Sequence, residues 1–110
     1  MSDCIFCRIV KGETNTVLLY EDDKVVAFED INPAAPVHLL VIPKEHSNST
    51  KEMTDECLIG RLFIAAGKVA EKVGLKHYRL VINTGSGVGQ AVFHTHLHVL
   101  GGRLMGWPPG

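Results

Sequence analysis

With 110 residues, the chain is long enough for one small domain with a single hydrophobic core. Charged side chains make up 21% of the residues and the formal net charge is -1, so the chain lacks the basic surface that nucleic acids and anionic membranes attract. Three cysteines are too few, and uneven in number, for a disulfide framework. Because there is neither an apolar run of roughly 20 residues nor a signal-peptide pattern after Met1, we predict a cytoplasmic protein that binds small molecules or proteins.

Five short runs of apolar and β-branched residues predict strands, at residues 17–20, 25–28, 38–42, 78–82 and 91–100. Before them, residues 4–10 predict a short helix that ends at Lys11 and Gly12. Short turns join most of the strands, whereas each parallel pair would need a crossover helix. The sequence therefore predicts an α+β fold with an antiparallel meander.

One long helix is predicted between the third and fourth strands. Thr54 is its predicted N-cap, Asp55 and Glu56 suit its positive end, and Gly74 marks its C-terminal end. Apolar residues recur in it at helical spacing, at Leu58, Leu62, Ala65, Val69 and Val73. We expect this apolar face to pack on the sheet, with Cys57 in the core.

Three histidines occupy alternate positions in the last predicted strand, at His94, His96 and His98. Successive side chains of a strand point to opposite faces, so these three imidazoles are predicted to form a row on one face. Imidazole serves as nucleophile, proton carrier or metal ligand near neutral pH. A structural role would need a separate buried partner for each ring, so the pattern favours chemistry over packing.

A glycine-rich loop, residues 83–90, precedes these histidines and has the sequence Asn-Thr-Gly-Ser-Gly-Val-Gly-Gln. Glycines let main-chain amides approach a ligand closely, and phosphate is the natural guest of exposed amides. A plain hairpin connection is the simpler alternative. A dinucleotide-binding fingerprint is excluded, because a strand and not a helix follows the glycines.

These motifs resemble a known family. His94-Thr95-His96-Leu97-His98 matches the alternating histidines of the histidine triad (HIT) superfamily of nucleotide hydrolases and transferases. The chain is also similar to the histidine triad nucleotide-binding (Hint) branch at residues 4–7, 28–33, 38–44, 89–90 and 101–110, including the Trp-Pro-Pro-Gly tail. The tail resembles Hint more than the fragile-histidine-triad or uridylyltransferase branches. The resemblance implies a single HIT domain over residues 1–110, with about five antiparallel strands, one long helix, a short N-terminal helix and a homodimer.

The resemblance implies a purine nucleoside phosphoramidase, which cleaves the P–N bond of an AMP or GMP phosphoramidate through a covalent nucleotidyl-histidine. His96 matches the family nucleophile, and a neutral imidazole nitrogen attacks phosphorus well at neutral pH. His98 and His38 match the other active-site histidines, which contact the phosphate and help move the proton that the amine needs.

The resemblance also implies the nucleotide-binding residues, which are Asp30, Ile31, Asn83, Gly89, Gln90, Ala91, His96, His98 and Trp107. In the family, the aspartate accepts the ribose hydroxyls, the isoleucine forms a wall against the base and the loop amides surround the phosphate. The tail tryptophan lies near the partner's active site in Hint dimers. One position departs from the pattern, because Ala91 stands where Hint proteins commonly carry serine. We expect activity to survive through the backbone amide, reduced by about tenfold for one lost hydrogen bond.

Cys4 and Cys7 have the spacing of a zinc knuckle, which needs two further ligands for a closed tetrahedral site. Similarity to bacterial relatives with this opening implies His46 and His94 as the other two ligands of a structural zinc ion. No organic cofactor is implied. The alternative is that the two cysteines form a small apolar pair of thiols.

Other functions are compatible with the same residues. Alternating histidines can hold a catalytic zinc ion that activates water, which predicts loss of activity with a chelator. Dinucleoside polyphosphate hydrolysis is the nearest alternative reaction within the superfamily. A non-catalytic module that binds a nucleotide, or a protein through its tail, would bind AMP without turning anything over.

Overall fold

The computed structural model, which describes residues 3–110, contains a five-stranded antiparallel sheet, a long helix and a short helix. In chain order the elements are α1 (Ile5–Val10), β1 (Leu18–Glu21), β2 (Val25–Glu29), β3 (Val37–Pro43), α2 (Glu56–Lys72), β4 (Tyr78–Val81) and β5 (Leu97–Gly101). Single 3₁₀ turns lie at Thr50–Glu52 and Ser86–Val88. The predicted α+β class is confirmed. Neither helix in this described range has the length and apolar character needed to cross a membrane.

The order of the strands departs from the predicted meander. β1, β2 and β3 pair in sequence, as short turns require. After β3 the chain passes through α2 and returns at the far edge as β4, so β5 lies between β3 and β4. The meander was wrong here because a long helical connection frees the next strand from pairing with its predecessor.

The helix α2 begins at a different cap from the one predicted. The Asp55 side chain, and not that of Thr54, accepts hydrogen bonds from the backbone N–H groups of Cys57 and Leu58, at 2.9 and 3.2 Å. A carboxylate one residue closer to the helix satisfies two of its unpaired amides and also suits its positive end. Gly74 follows the helix with φ of +78°, as a left-handed terminating residue does. Cys57 is exposed, so its predicted place in the core was wrong.

The two faces of the sheet pack against different helices. One face packs against α2, whose Leu62 and Val69 contact the cluster that contains Val41, Leu97 and Val99. Burying each such side chain contributes about 1.5–3 kcal/mol, so this layer is the main source of stability. The opposite face holds a second, smaller buried cluster.

That opposite face, under α1, carries His38 and His98. In the β3–β5 pairing, His38 lies opposite Leu100 and Leu40 lies opposite His98. His38 and His98 are therefore diagonal neighbours on one face, within reach of each other's long side chains. Phe6 of α1 covers this face as part of the second buried cluster.

Candidate functional site

The three alternating histidines do not all belong to a strand. β5 begins at Leu97, so only His98 lies in it, whereas His94 and His96 lie in the irregular segment before it. The predicted strand at 91–100 was wrong for residues 91–96. The backbone there bonds outside the sheet, with the N–H of Thr95 donating to the carbonyl of Ser47 at 2.8 Å.

Hydrogen bonds fix the protonation of His38 and His98. The backbone N–H of Ala34 donates to His38 Nδ1 at 2.9 Å, so this nitrogen carries no proton. His38 Nε2 then carries the proton and donates a hydrogen bond to His98 Nδ1 at 2.8 Å. The remaining proton of a neutral His98 is on Nε2, a buried atom that has no protein partner in the described chain. The relay therefore ends in a hydrogen-bond donor.

His96 is held in the opposite sense. Its Nδ1 lies 2.8 Å from the backbone carbonyl of His94, which can only accept, so Nδ1 carries the proton. Nε2 therefore keeps its lone pair, as a nucleophile requires. Phe6 packs edge-on against the ring, with 5.1 Å between ring centroids, and fixes its orientation. A donor on His98 thus lies beside a lone pair on His96, with the two ring centroids 4.9 Å apart.

A cavity of about 440 Å³ opens in front of these two rings. Its lining includes apolar side chains from α1 and the sheet face, namely Ile5, Phe6, Ile9, Phe28 and Leu40. Polar groups enter from Asp30, His96 and His98, and the loop contributes Gly89 and Ala91. An apolar wall combined with a few converging polar groups suits a ligand with a flat ring and an anionic group.

Burial keeps the relay histidines neutral. Burial, together with the electrostatic effects of His96 and His38, lowers the pKa of His98 to about 4 against the opposing effect of Asp30. Burial likewise lowers the pKa of His38, again opposed by Asp30. Both rings are therefore neutral near pH 7, as the single-proton relay requires.

The Asp30 carboxylate lies at the rim of the cavity. One oxygen accepts a hydrogen bond from the N–H of Asn32 at 2.8 Å, and the other lies 3.4 Å from His38 Nε2. Its neighbour Ile31 also lines the cavity and is 92% exposed. A carboxylate beside an uncovered apolar side chain can accept hydroxyl groups of a ligand that lies across both.

Of the remaining predicted nucleotide-binding residues, Gly89 lines this cavity, and the other three do not. Gly89 has φ of +107°, a left-handed conformation that strains any other residue. Asn83 is half-buried and is not part of the cavity lining. The Gln90 side chain is buried and bonded to protein groups. Trp107 is 82% exposed, lies beside Arg79 and does not line the cavity of its own chain.

A second cluster, the cysteine–histidine cluster, consists of Cys4, Cys7, His46 and His94. The two histidine Nδ1 atoms are 3.1 Å apart, and the sulfur-to-Nδ1 distances include 3.3 Å from Cys7 to His46 and 3.4 Å from Cys4 to His94. Around one tetrahedral zinc ion, nitrogen pairs lie roughly 3.3 Å apart and nitrogen–sulfur pairs roughly 3.6 Å apart. The donor set and its spacing therefore fit a closed zinc site.

Neighbouring groups hold both histidines of this cluster in the tautomer that a metal ligand needs. His94 Nε2 donates to the carbonyl of Pro43 at 2.8 Å, and His46 Nε2 donates to Asn48 Oδ1 at 2.9 Å. Each Nδ1 therefore presents a lone pair to the cluster. His94 faces the cysteines and His98 faces His38, so the three alternating histidines do not converge on a single ion.

Sequence reasoning missed two contributors to these sites. Phe6 packs against both His94 and His96, and its position follows from the short helix that contains Cys7 and has Cys4 as its N-cap. The Cys-x-x-Cys spacing could have indicated it. Asn48 supports His46 from a loop, and no pattern in the sequence marks it.

Comparisons with known proteins identify the family. The HIT domain profile matches residues 11–105. An uncharacterized HIT-like protein from Synechocystis is 49% identical over 111 residues, covering 98% of this chain and 97% of the relative. A 14 kDa zinc-binding protein from Zea mays is 46% identical over 114 residues, covering 99% of this chain and 89% of the relative. The crystal structure of a HIT family hydrolase from Legionella pneumophila matches with a TM-score of 0.93 and 47% identity, covering 98% of this chain and 100% of that one. This chain belongs to the HIT family.

Proposed function

We propose that this HIT-family protein is a hydrolase of the Hint branch, a purine nucleoside phosphoramidase that works through a nucleotidyl-His96 intermediate. The observation that carries the proposal is the pairing of an unprotonated His96 Nε2 with a protonated His98 Nε2 at one cavity. A nucleophile beside a donor is what transfer of a phosphoryl group requires. The Trp-Pro-Pro-Gly tail at residues 107–110 supports the branch.

The cavity lining supports a purine nucleotide as the ligand. The base would pack against the apolar wall of Phe6, Ile9 and Phe28, and the ribose hydroxyls would donate to Asp30. The α-phosphate would lie between His96, His98 and the amides next to Gly89. These amides suit the charge that develops on the transferring group, because they are fixed before the reaction.

The proposed reaction has two displacements at phosphorus. His96 Nε2 attacks the phosphorus atom, a P–N bond to the ring forms, and the P–N bond to the amine breaks. An anionic phosphoryl group beside His98 raises the pKa of His98, so His98 takes up a second proton from solvent in the substrate complex. The leaving amine then takes the proton on His98 Nε2, and His98 returns to its neutral form. Water then attacks phosphorus, breaks the bond to His96, returns a proton to His98 and releases the nucleoside monophosphate.

We further propose that the cysteine–histidine cluster holds a structural zinc ion, which when bound would join the start of α1 to the β3–β5 region. The tautomers of His46 and His94 and the name of the maize relative support this assignment. Metal analysis should find zinc in the wild type, little in Cys4→Ser, and unchanged zinc in Cys57→Ser, because Cys57 lies outside the cluster. Equal zinc content in all three proteins would contradict the assignment.

The proposal includes a cytoplasmic homodimer of single-domain chains 1–110. Exposed Trp107 and Leu104, 82% and 94% accessible, support an interface near the tail that would place Trp107 at the partner's cavity. A reducing compartment suits the thiolate ligands. Light scattering that gives the mass of one chain would contradict the dimer.

The decisive experiment uses an adenosine phosphoramidate with a fluorescent amine. Release of amine and AMP should fall by at least about a thousandfold in His96→Ala, because the nucleophile is lost. His77→Ala is the matched control, since His77 is exposed and lies outside the cavity. Mass spectrometry of quenched wild type should detect the added nucleotidyl group.

Three other outcomes would favour the alternatives. AMP binding without turnover indicates a binding module. Faster cleavage of a dinucleoside polyphosphate indicates the related hydrolase reaction. Activity that a chelator abolishes while the protein stays folded indicates a catalytic metal.

A further inference from the structure

Gln90 lies between the cavity and the cysteine–histidine cluster. All the hydrogen-bonding groups of its side chain are engaged with the segments that form these two sites. It is 3% exposed, and its Oε1 accepts a hydrogen bond from the N–H of Gly85 at 2.8 Å. Its Nε2 donates to the carbonyl of Asn48 at 2.6 Å and to that of Val92 at 3.1 Å. An amide with its oxygen and both N–H groups engaged has no donor left for a ligand. Gln90 therefore braces the loop from within.

Asn48, whose carbonyl accepts a hydrogen bond from Gln90, also contacts the cysteine–histidine cluster. Its Oδ1 accepts from His46 Nε2 at 2.9 Å, and Glu52 holds both its backbone N–H and its side-chain NH₂, at 2.8 and 3.0 Å. A series of hydrogen bonds therefore runs from His46, a candidate metal ligand, through Asn48 and Gln90 to Gly85.

A second connection starts from the same cluster. His94 offers Nδ1 to the cluster, while its backbone carbonyl accepts the hydrogen bond from His96 Nδ1 that sets the tautomer of His96. The cluster is therefore connected to the nucleophile through the His94 carbonyl, and to the loop that contains Gly85 and Gly89 through Asn48 and Gln90. A change in the position of its ligands has two routes to the cavity.

We propose that Gln90 is a positioning residue that couples occupancy of the cysteine–histidine cluster to nucleotide binding at the glycine-rich loop. His46 is exposed and is hydrogen-bonded to Asn48, so a metal ion at its Nδ1 would order the ring further. Asn48 and Gln90 would pass that order on to the loop amides. This inference rests on the proposed nucleotide-binding function. Coupling of two binding sites is reciprocal, so AMP must tighten metal binding by the same factor by which the metal tightens AMP binding.

The test measures Zn²⁺ affinity by competition with a chromophoric chelator, with and without saturating AMP, and AMP affinity by calorimetry. In wild type, AMP should tighten Zn²⁺ binding by about fivefold, the lower end of ordinary coupling between sites. Gln90→Met keeps the length of the side chain but loses all three hydrogen bonds. In this variant the ratio of the Zn²⁺ affinities with and without AMP should fall to about one, while both ligands still bind. Gln90→Asn, whose amide is one methylene too short to reach Gly85 and Asn48 together, replaces the first variant if that one fails to fold.

Thr84→Val is the matched control. It removes the contact between the Thr50 and Thr84 hydroxyls, which are 2.5 Å apart and join the same two segments without Gln90. The fivefold ratio should survive in this variant. Retention of the ratio in Gln90→Met, or equal loss in Thr84→Val, would overturn the role of Gln90.

Direct AMP binding separates the failure of this inference from that of the proposed function. Wild type that binds AMP and Zn²⁺ independently refutes the coupling and leaves the phosphoramidase proposal standing. Wild type that binds no AMP refutes the proposed function, and the coupling falls with it.

Discussion

Acid should destabilise the protein through His98 in a window that the structure defines. In the unfolded chain His98 has the ordinary histidine pKa of 6.5, whereas burial lowers its pKa in the folded chain to about 4. Between these two values the unfolded state holds more protons, so stability falls as pH falls. The contribution of neutral His98 is fully present above about pH 6.5 and is lost as the pH approaches 4.

The size of the effect follows from the gap between the two values. At about 1.4 kcal/mol for each pH unit, the whole gap corresponds to about 3 kcal/mol. We expect about 2 kcal/mol by pH 4.5, because solvent reaches part of the ring and screens its charge. This is a large fraction of the stability of a small domain.

The assay is urea unfolding of wild type and His98→Gln at about pH 7 and about pH 4.5. Acid-sensitive groups that do not contact His98, including the cysteine–histidine cluster, are present in both proteins and cancel in the difference. Wild type should lose about 2 kcal/mol more than the variant between the two pH values. Equal losses in the two proteins would show that His98 does not titrate in this way.

Two further substitutions test the loop and the sheet. Ala91→Ser should raise kcat/KM for the phosphoramidate by up to about tenfold in steady-state kinetics, because the serine hydroxyl supplies one hydrogen bond. No gain would mean that the backbone amide of Ala91 suffices. Gly102→Ala should cost at least about 2 kcal/mol in urea unfolding, because a Cβ there would lie 2.8 Å from Pro36 Cβ at a φ of +93°. Gly12→Ala, with φ of +76° and open space around it, is the matched control and should cost only about 1 kcal/mol. Equal costs would show that Pro36 moves aside.

Local patterns in the sequence predicted the elements well and the long-range pairings poorly. The helical spacing from Leu58 to Val69 located α2, because that periodicity is a property of neighbouring residues. The cap and the strand order were wrong, since Asp55 competes with Thr54 for the same amides and β5 pairs with strands distant in sequence. Alternation also extended the last strand too far, because it cannot detect that Thr95 bonds to Ser47 and not to a strand.

The same division applies to the candidate site. By itself the sequence determined the chemistry available, namely alternating imidazoles, a pair of cysteines and flexible glycines, because residue types and short spacings are written in the chain. Only the tertiary structure decided that His94 joins the cysteines while His98 joins His38, and which nitrogen of each ring carries a proton. These assignments depend on partners such as Ala34, Pro43 and Asn48, whose approach is set by the packing of the sheet. A tautomer is fixed by the group across the hydrogen bond, and folding alone brings that group into place.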